Sequence, residues 1–448
     1  MSRISIKEIN RLALPALVSG VIEPVISLTD TVMAGHIPVN TKEVLGAVGI
    51  VSSFLTALVW IFIQISRAIS SQVAYAYGQG SVAQLKSLVA QILSLSLTIS
   101  LFCSIVAFFT SKIILVNFYE ADGILLDYCL DYFRIRVWGF PFILLTLTIH
   151  SIFRGLQNTS WSMYISLLGG IINITLNYTF VFIFHWGIKG LAWSSLLAQI
   201  VMLVVSVHYL YRKTPFRFFR TKNLHPKFFQ NLRMSLNLFI RSTLLQAVLY
   251  FSFLRATILG GGEDSTIVAT HTLLNQVWLF SVFLFDGYCN AGGVLSGRLY
   301  SARQYQTIRY MVRDLFFIVL GIGSLIMMLY FIFYFQMGVF LTKDSDVQLL
   351  FFETFWMVVL MQPLNAITFL FDGIYKGMGL TIVLRNTFII ATFLGFLPTF
   401  YVTEFLLEWG LKGIWVAFFV WMSFRGGILI LHYRNFFISR TEHLFNIS

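Results

Sequence analysis

The sequence predicts an all-α integral membrane protein whose twelve transmembrane helices fall into two related six-helix halves, and three observations carry that expectation. Apolar residues make up 58% of the 448 residues and charged residues only 11%, where a soluble domain carries about a quarter charged. Mean hydropathy is accordingly high, at +0.81. Apolar runs of about twenty residues or more recur along nearly the whole chain, each long enough as a helix to cross about 30 Å of hydrocarbon. The chain also repeats. Trp186-Gly187-Ile188-Lys189-Gly190 and Trp409-Gly410-Leu411-Lys412-Gly413 lie 223 residues apart. Near the same offset, Pro141 with Arg154-Gly155 answers to Pro363 with Lys376-Gly377, and Arg11 with Leu14 answers to Arg233 with Leu236. A repeat of roughly 220 residues means two similar units with a pseudo-twofold relation, and in a membrane the cleft between such units is the usual place for a substrate.

Taken in order, the spans are expected near residues 12–34, 46–70, 88–112, 130–153, 161–185 and 191–211, then 236–259, 266–290, 313–336, 347–372, 385–407 and 411–433. The polar, cation-rich stretch 213–230, with Pro215 and Pro226, separates an N-terminal lobe, 1–212, from a C-terminal lobe, 231–448. Most other loops are short, so sequential helices should be antiparallel. Both Trp-Gly pentapeptides fall at tight outer turns, where glycine permits backbone that other residues resist. Prolines inside spans, Pro15, Pro24, Pro141, Pro363 and Pro398, each remove a helical hydrogen bond and favour bending.

The formal net charge of +12 raises the question of nucleic acid. The cations answer it by their position, because Arg3, Lys7, Arg11, Lys86, Arg212, Lys213, Arg217, Arg298, Arg303, Arg309, Lys376 and Arg434 all fall on one side of the twelve-span topology. Most loop acids, with Asp346, Glu404 and Glu408 among them, are placed on the other side. By the positive-inside rule both termini and the central loop face the cytoplasm, in the plasma (inner) membrane, and a nucleic-acid role has no support. The first span follows a short basic segment without a cleavage site and is expected to be retained. Three cysteines in apolar segments form neither a disulfide framework nor a metal-ligand spacing. Phosphate-binding loops, zinc-protease helices and nucleophile elbows are all missing, so enzymatic turnover and ATP as a fuel are not expected.

An acid at the centre of a membrane helix costs roughly 2.5–3.5 kcal/mol on insertion scales, so each one needs a partner, water or a proton. Glu23 and Asp30 lie seven residues apart in the first span and share a face, with Pro24 as a hinge between them. Asn173 and Asn177 share a face of the fifth span, and Ser194 and Ser195 open the sixth. A carboxyl among amides and hydroxyls suits a coupling site for H⁺ or Na⁺. The alternative is an acid that only ties helices together. The second lobe carries Asp286, Asp372, Arg241, Arg255 and Arg425, and the first carries Arg67. Opposite charges in similar number suggest buried pairs, with substrate contact as the other reading. Arg134 and Arg136 are expected to snorkel from the outer end of span four.

Several segments resemble the multidrug and toxic compound extrusion (MATE) transporters, specifically their DNA-damage-inducible F (DinF) branch. Glu23-Pro24 through Asp30-Thr31-Val32-Met33-Ala34-Gly35 is similar to the family's first-helix signature. Arg154-Gly155-Leu156-Gln157-Asn158-Thr159 resembles its Arg-Gly-x-x-Asp-Thr loop, and Phe285-Asp286-Gly287-Tyr288 and Phe371-Asp372-Gly373-Ile374-Tyr375 its Asp-Gly elements. The resemblance implies two six-helix bundles around a central V-shaped cleft, exporting organic, often cationic or amphipathic, compounds against inward H⁺ or Na⁺. It implies Asp30 as the coupling carboxylate. The family often has a second acid where this chain has Asn177, and its loop Asp is replaced by Asn158. No cofactor beyond the coupling ion, no resident metal, and a monomer in contact with membrane lipid are expected. A lipid-linked precursor flippase of the related superfamily and a non-transporting receptor or assembly factor stand as alternatives.

Overall fold

The computed structural model describes residues 4–34, 37, 41–119, 121, 123–218, 223–259, 266–341 and 345–445, without the side chains of residues 23–25, 27, 28, 31, 41, 42 and 438–445. The side chains of Glu23 and Pro24, Gly35 of the first-helix signature and residues 219–222 of the basic stretch therefore lie outside the described residues. Every regular element among the described residues is helical: α1 (Ile6–Ala34), α2 (Thr41–Gly78), α3 (Lys86–Tyr119), α4 (Gly123–Arg136), α5 (Gly139–Gly155), α6 (Ser160–Tyr178), α7 (Gly187–Lys213), α8 (Phe228–Leu259), α9 (Thr266–Ser301), α10 (Tyr305–Ile332), α11 (Tyr334–Leu341), α12 (Ser345–Gly377), α13 (Thr381–Ile390), α14 (Leu397–Tyr401) and α15 (Leu411–Phe445). Ten described helical stretches are long and apolar enough to span a bilayer, and α4 with α5 makes an eleventh, bent by 46°. The first predicted span lies on α1.

The break in span four departs from the single helix expected there. Proline is tolerated in the first turn of a helix and not in its interior, so the chain restarts at Gly139 and places Pro141 in the opening turn of α5. Gly139 also lies so close to the Gln199 side chain that a Cβ there would collide with it. Span eleven is irregular too, running α13, a π-helical turn Ala391–Phe396, α14 and a second π-helical turn Val402–Leu406.

The chain divides into two compact units, Val18–Leu236 and Met1–Leu17 with Asn237–Ser448. In the first, one apolar cluster gathers around Val48, Tyr132, Phe133 and Leu191, and another around Val73, Leu88, Ile149 and Leu210. In the second, a single cluster runs through α9, α10, α12 and α15. Local geometry repeats between the units as the pentapeptides do. The π-turn Thr179–Ile183 has its counterpart in Val402–Leu406, and positive φ falls at His185 and Gly187 in one unit and at Glu408 and Gly410 in the other, each 223 residues on. A Cβ on Gly190 would meet the Phe180 backbone at 3.1 Å, and one on Gly413 would meet Thr403 at 3.0 Å.

The glycines of the Asp-Gly elements are explained by close helix packing. A Cβ on Gly373 would collide with the Cys289 carbonyl, one on Gly377 with the Gly293 carbonyl, and one on Gly293 would stand 2.6 Å from the Gly373 carbonyl. Here α9 and α12 approach backbone to backbone, the small-residue mode by which helices associate in lipid. Gly377→Ala is therefore expected to lower thermal stability in detergent by about 3 kcal/mol, at the upper end of overpacking effects. Gly427→Ala, with open space around its Cβ, should change stability by about 1 kcal/mol or less. Equal melting temperatures for the two variants would contradict this account of the α9–α12 contact.

Candidate functional site

Within the unit Val18–Leu236, α1 and α6 run parallel, as the first and fifth spans of an alternating topology must. Ser19 and Ser166 share a hydrogen bond of 3.0 Å between hydroxyls, and eleven residues further along both helices Asn177 meets Asp30. Gly170 lies between these points, where a Cβ would meet Ile22 at 3.3 Å, so its lack of a side chain lets α1 lie close. The turn after α6 then returns the chain as α7, carrying Ser194 and Ser195 back towards the same place.

The result is a closed ring of polar side chains. Asn177 Nδ2 donates to Asp30 Oδ1 at 2.6 Å, and Ser195 Oγ donates to Asp30 Oδ2 at 3.1 Å. Asn173 Nδ2 donates to Ser195 Oγ at 3.1 Å, and Asn177 Nδ2 also reaches Asn173 Oδ1 at 3.2 Å. Ser194 Oγ bonds Asn177 Oδ1 and the Leu191 carbonyl. Asp30 is only 4% exposed and the other members of the ring are as deeply buried. The structure thus brings together Asp30, Asn173, Asn177 and Ser195, and adds Ser194. Arg136, expected to snorkel, is instead half-buried, with its guanidinium 5.8 Å from the Tyr132 ring and its Nε without a hydrogen-bond partner.

The second unit holds a different arrangement. Asp372 on α12 accepts from Arg241 Nη2 at 2.5 Å and from Arg425 Nη2 at 2.9 Å, both on Oδ2. Asp372 and Arg425 are 1% exposed and Arg241 4%. Phe388 lies 4.4 Å from the Arg241 guanidinium and 4.0 Å from that of Arg425, which also has Trp421 at 4.7 Å. Arg255 Nε donates to Glu404 Oε1 at 2.7 Å. Glu404 was expected in an outer loop. It is instead buried in the π-turn of span eleven, whose wider winding moves residues off the helical face that a 3.6-residue period assigns them. The Arg255–Glu404 contact and the Arg385 to Asn237 hydrogen bond, 3.0 Å, link α8 to span eleven with nearly the separation, 149 and 148 residues, that links Asp30 to Asn177, 147.

Of the remaining candidates, Asp286 is exposed and accepts from Asn290 Nδ2 at 2.7 Å. Arg67 is half-buried, with its guanidinium 5.7 Å from the Trp60 ring. Arg67 is not a member of the Asp30 ring, and Asp286 belongs to the other unit. Among the described residues no cluster of three or more acidic, His or Cys side chains has the arrangement of a metal site.

The family model described as MatE matches residues 15–179 and again residues 242–401, once in each half. This chain belongs to the MatE family. It is 24% identical over 444 residues to DNA damage-inducible protein F of Escherichia coli (strain K12), covering 96% of this chain and 93% of that protein. It is 25% identical over 437 residues to the multidrug resistance protein NorM of Vibrio vulnificus (strain CMCP6), covering 94% and 93%, and 24% identical over 432 residues to Protein DETOXIFICATION 44, chloroplastic, of Arabidopsis thaliana, covering 93% and 80%. The fold matches a MATE transporter of Vibrio cholerae with a TM-score of 0.86 over 97% of both chains at 18% identity. The MatE protein described here is therefore a multi-pass membrane transporter and not an enzyme.

Proposed function

We propose that this MatE protein is an antiporter of the inner (plasma) membrane that exports small organic, amphipathic compounds and takes up H⁺ in exchange, with Asp30 as the coupling carboxyl. The observation that carries this reading is the buried ring around Asp30, in which uncharged donors reach both carboxylate oxygens. A hard cation needs several oxygen ligands turned towards it. The ring turns an amide N–H and a hydroxyl towards Asp30, an environment that suits a proton better than Na⁺. When Asp30 takes a proton, one of its oxygens becomes a donor and the other goes on accepting: on Oδ2 the Ser195 hydroxyl turns to accept the proton, whereas on Oδ1 the Asn177 amide has to turn its oxygen in place of Nδ2. Loss of the charge and rearrangement of the ring then loosen α1 from α6 and α7, which couples proton uptake to the alternation of access and to cargo release.

One charge moving through 100 mV supplies about 2.3 kcal/mol, enough to sustain roughly a fifty-fold gradient of a neutral substrate. The cation distribution supports cytoplasmic termini, and because one chain carries both repeats the protein is proposed to act as a monomer. The flippase alternative loses ground because it gives no part to a buried acid such as Asp30 and because Arg255 is engaged by Glu404 of its own unit. Purified protein in proteoliposomes should export a dye such as ethidium when a pH gradient is imposed and fail to do so under a Na⁺ gradient alone. Na⁺-driven export at equal or greater rate would overturn the choice of ion.

A further inference from the structure

The Asp372 cluster holds one more positive charge than it can neutralise. Arg241 and Arg425 face a single carboxylate, all three groups are buried, and both guanidiniums converge on the same oxygen, Oδ2. Among the described residues nothing donates to Asp372 Oδ1, and the Nε–H groups of Arg241 and Arg425 have no acceptor. Two helical turns earlier on the same face of α12, Asn365 is fully buried with both amide atoms unpartnered. Buried polar groups are ordinarily satisfied, and a buried surplus charge ordinarily has a counter-ion. Aromatic rings rather than acids complete the surroundings of the guanidiniums, with Phe388 against both and Trp421 against Arg425.

We propose that Arg241, Arg425 and Asn365 form a binding site for an organic anion, a carboxylate or sulfonate attached to a flat apolar body. The oxyanion takes the two Nε–H donors, its charge brings the cluster to neutrality alongside Asp372, and the rings of Phe388 and Trp421 flank the apolar part. Guanidinium forks favour planar oxyanions of this kind. A lipid phosphate offers the same oxyanion chemistry. A flat organic acid is favoured because Phe388 and Trp421 lie against the guanidiniums, and aromatic faces suit a planar body. The inference rests on the exporter reading in so far as the anion is cargo, but binding itself requires no coupling and can be measured apart from it.

The test is fluorescence titration of the full chain in phosphatidylcholine nanodiscs with three dansyl probes: dansylglycine, an anion, dansylglycinamide, neutral, and dansylcadaverine, a cation. Wild-type protein is expected to bind dansylglycine saturably and at least tenfold tighter than the other two. Equal affinity for all three probes would overturn the site. Arg241→Gln, which leaves Asp372 balanced by Arg425 alone, should weaken dansylglycine binding at least tenfold, and adding Asp372→Asn should recover most of it by restoring the surplus charge. Unchanged affinity in Arg241→Gln would also overturn it. Asp30→Asn should bind dansylglycine like wild type, so that a failure of the coupling mechanism and a failure of this site are told apart. Binding abolished by replacing phosphatidylcholine with phosphatidylglycerol would assign the site to lipid headgroups and overturn the cargo assignment.

Discussion

Asp30→Asn is expected to reduce pH-gradient-driven export in proteoliposomes to the leak rate, a fall of at least tenfold, while the protein stays folded. The substitution keeps the size of the side chain and one oxygen. That oxygen still accepts from Asn177 Nδ2, so most of the ring in Val18–Leu236 survives. The bond from Ser195 is the one placed in conflict, because an amide nitrogen can stand where Oδ2 now accepts. A single neutral hydrogen bond is worth about 1 kcal/mol, so thermal stability should shift by no more than about that. What disappears is the group that exchanges a proton. Energy-independent counterflow of labelled dye against unlabelled dye should therefore persist in the variant, and only uphill export should fail. Full uphill export by Asp30→Asn would remove Asp30 from the mechanism, whatever the geometry of its neighbours.

Much of this arrangement could be read from residue spacing. Asn173 and Asn177, four apart in an apolar run, had to share a helix face, and an acid on the parallel first helix needed partners of that kind. The doubled pentapeptide foretold the matched turns at His185–Gly187 and Glu408–Gly410, because positive φ and a close approach of Gly190 or Gly413 are local demands on the chain. Buried pairing among the charges of the other unit was legible, but which residues meet was not. Four arginines and several acids lay in apolar segments, and nothing in their spacing says that Arg241 and Arg425, 131 and 53 residues from Asp372, would converge on one of its oxygens. Glu404 looked like a loop acid because it closes an apolar run, and a π-turn is invisible to a pattern read at 3.6 residues per turn. Arg136 was misjudged for a similar reason. Nearness to a helix end suggested water, while the break before Gly139 leaves its side chain half-buried against Tyr132.

The largest loss of stability is expected from Asp372→Ala. Removing one partner of a buried ion pair costs about 3–5 kcal/mol, because the charge left behind keeps the desolvation penalty without its compensation. Here the deletion would strand two guanidiniums at once, within reach of the same Phe388 ring and mutually repulsive. A loss at or above the top of that range should appear in thermal unfolding of the detergent-purified protein. Asp286→Ala is the fitting comparison, since Asp286 is exposed and accepts a hydrogen bond from Asn290 of its own helix; it should cost about 1 kcal/mol or less. Replacing the whole cluster, Asp372→Leu with Arg241→Met and Arg425→Met, should return most of the lost stability, because apolar residues of similar volume often match a buried ionic cluster. If Asp372→Ala melted like wild type, the two arginines would have to be reaching water, and the weight given to their pairing with Asp372 would be wrong.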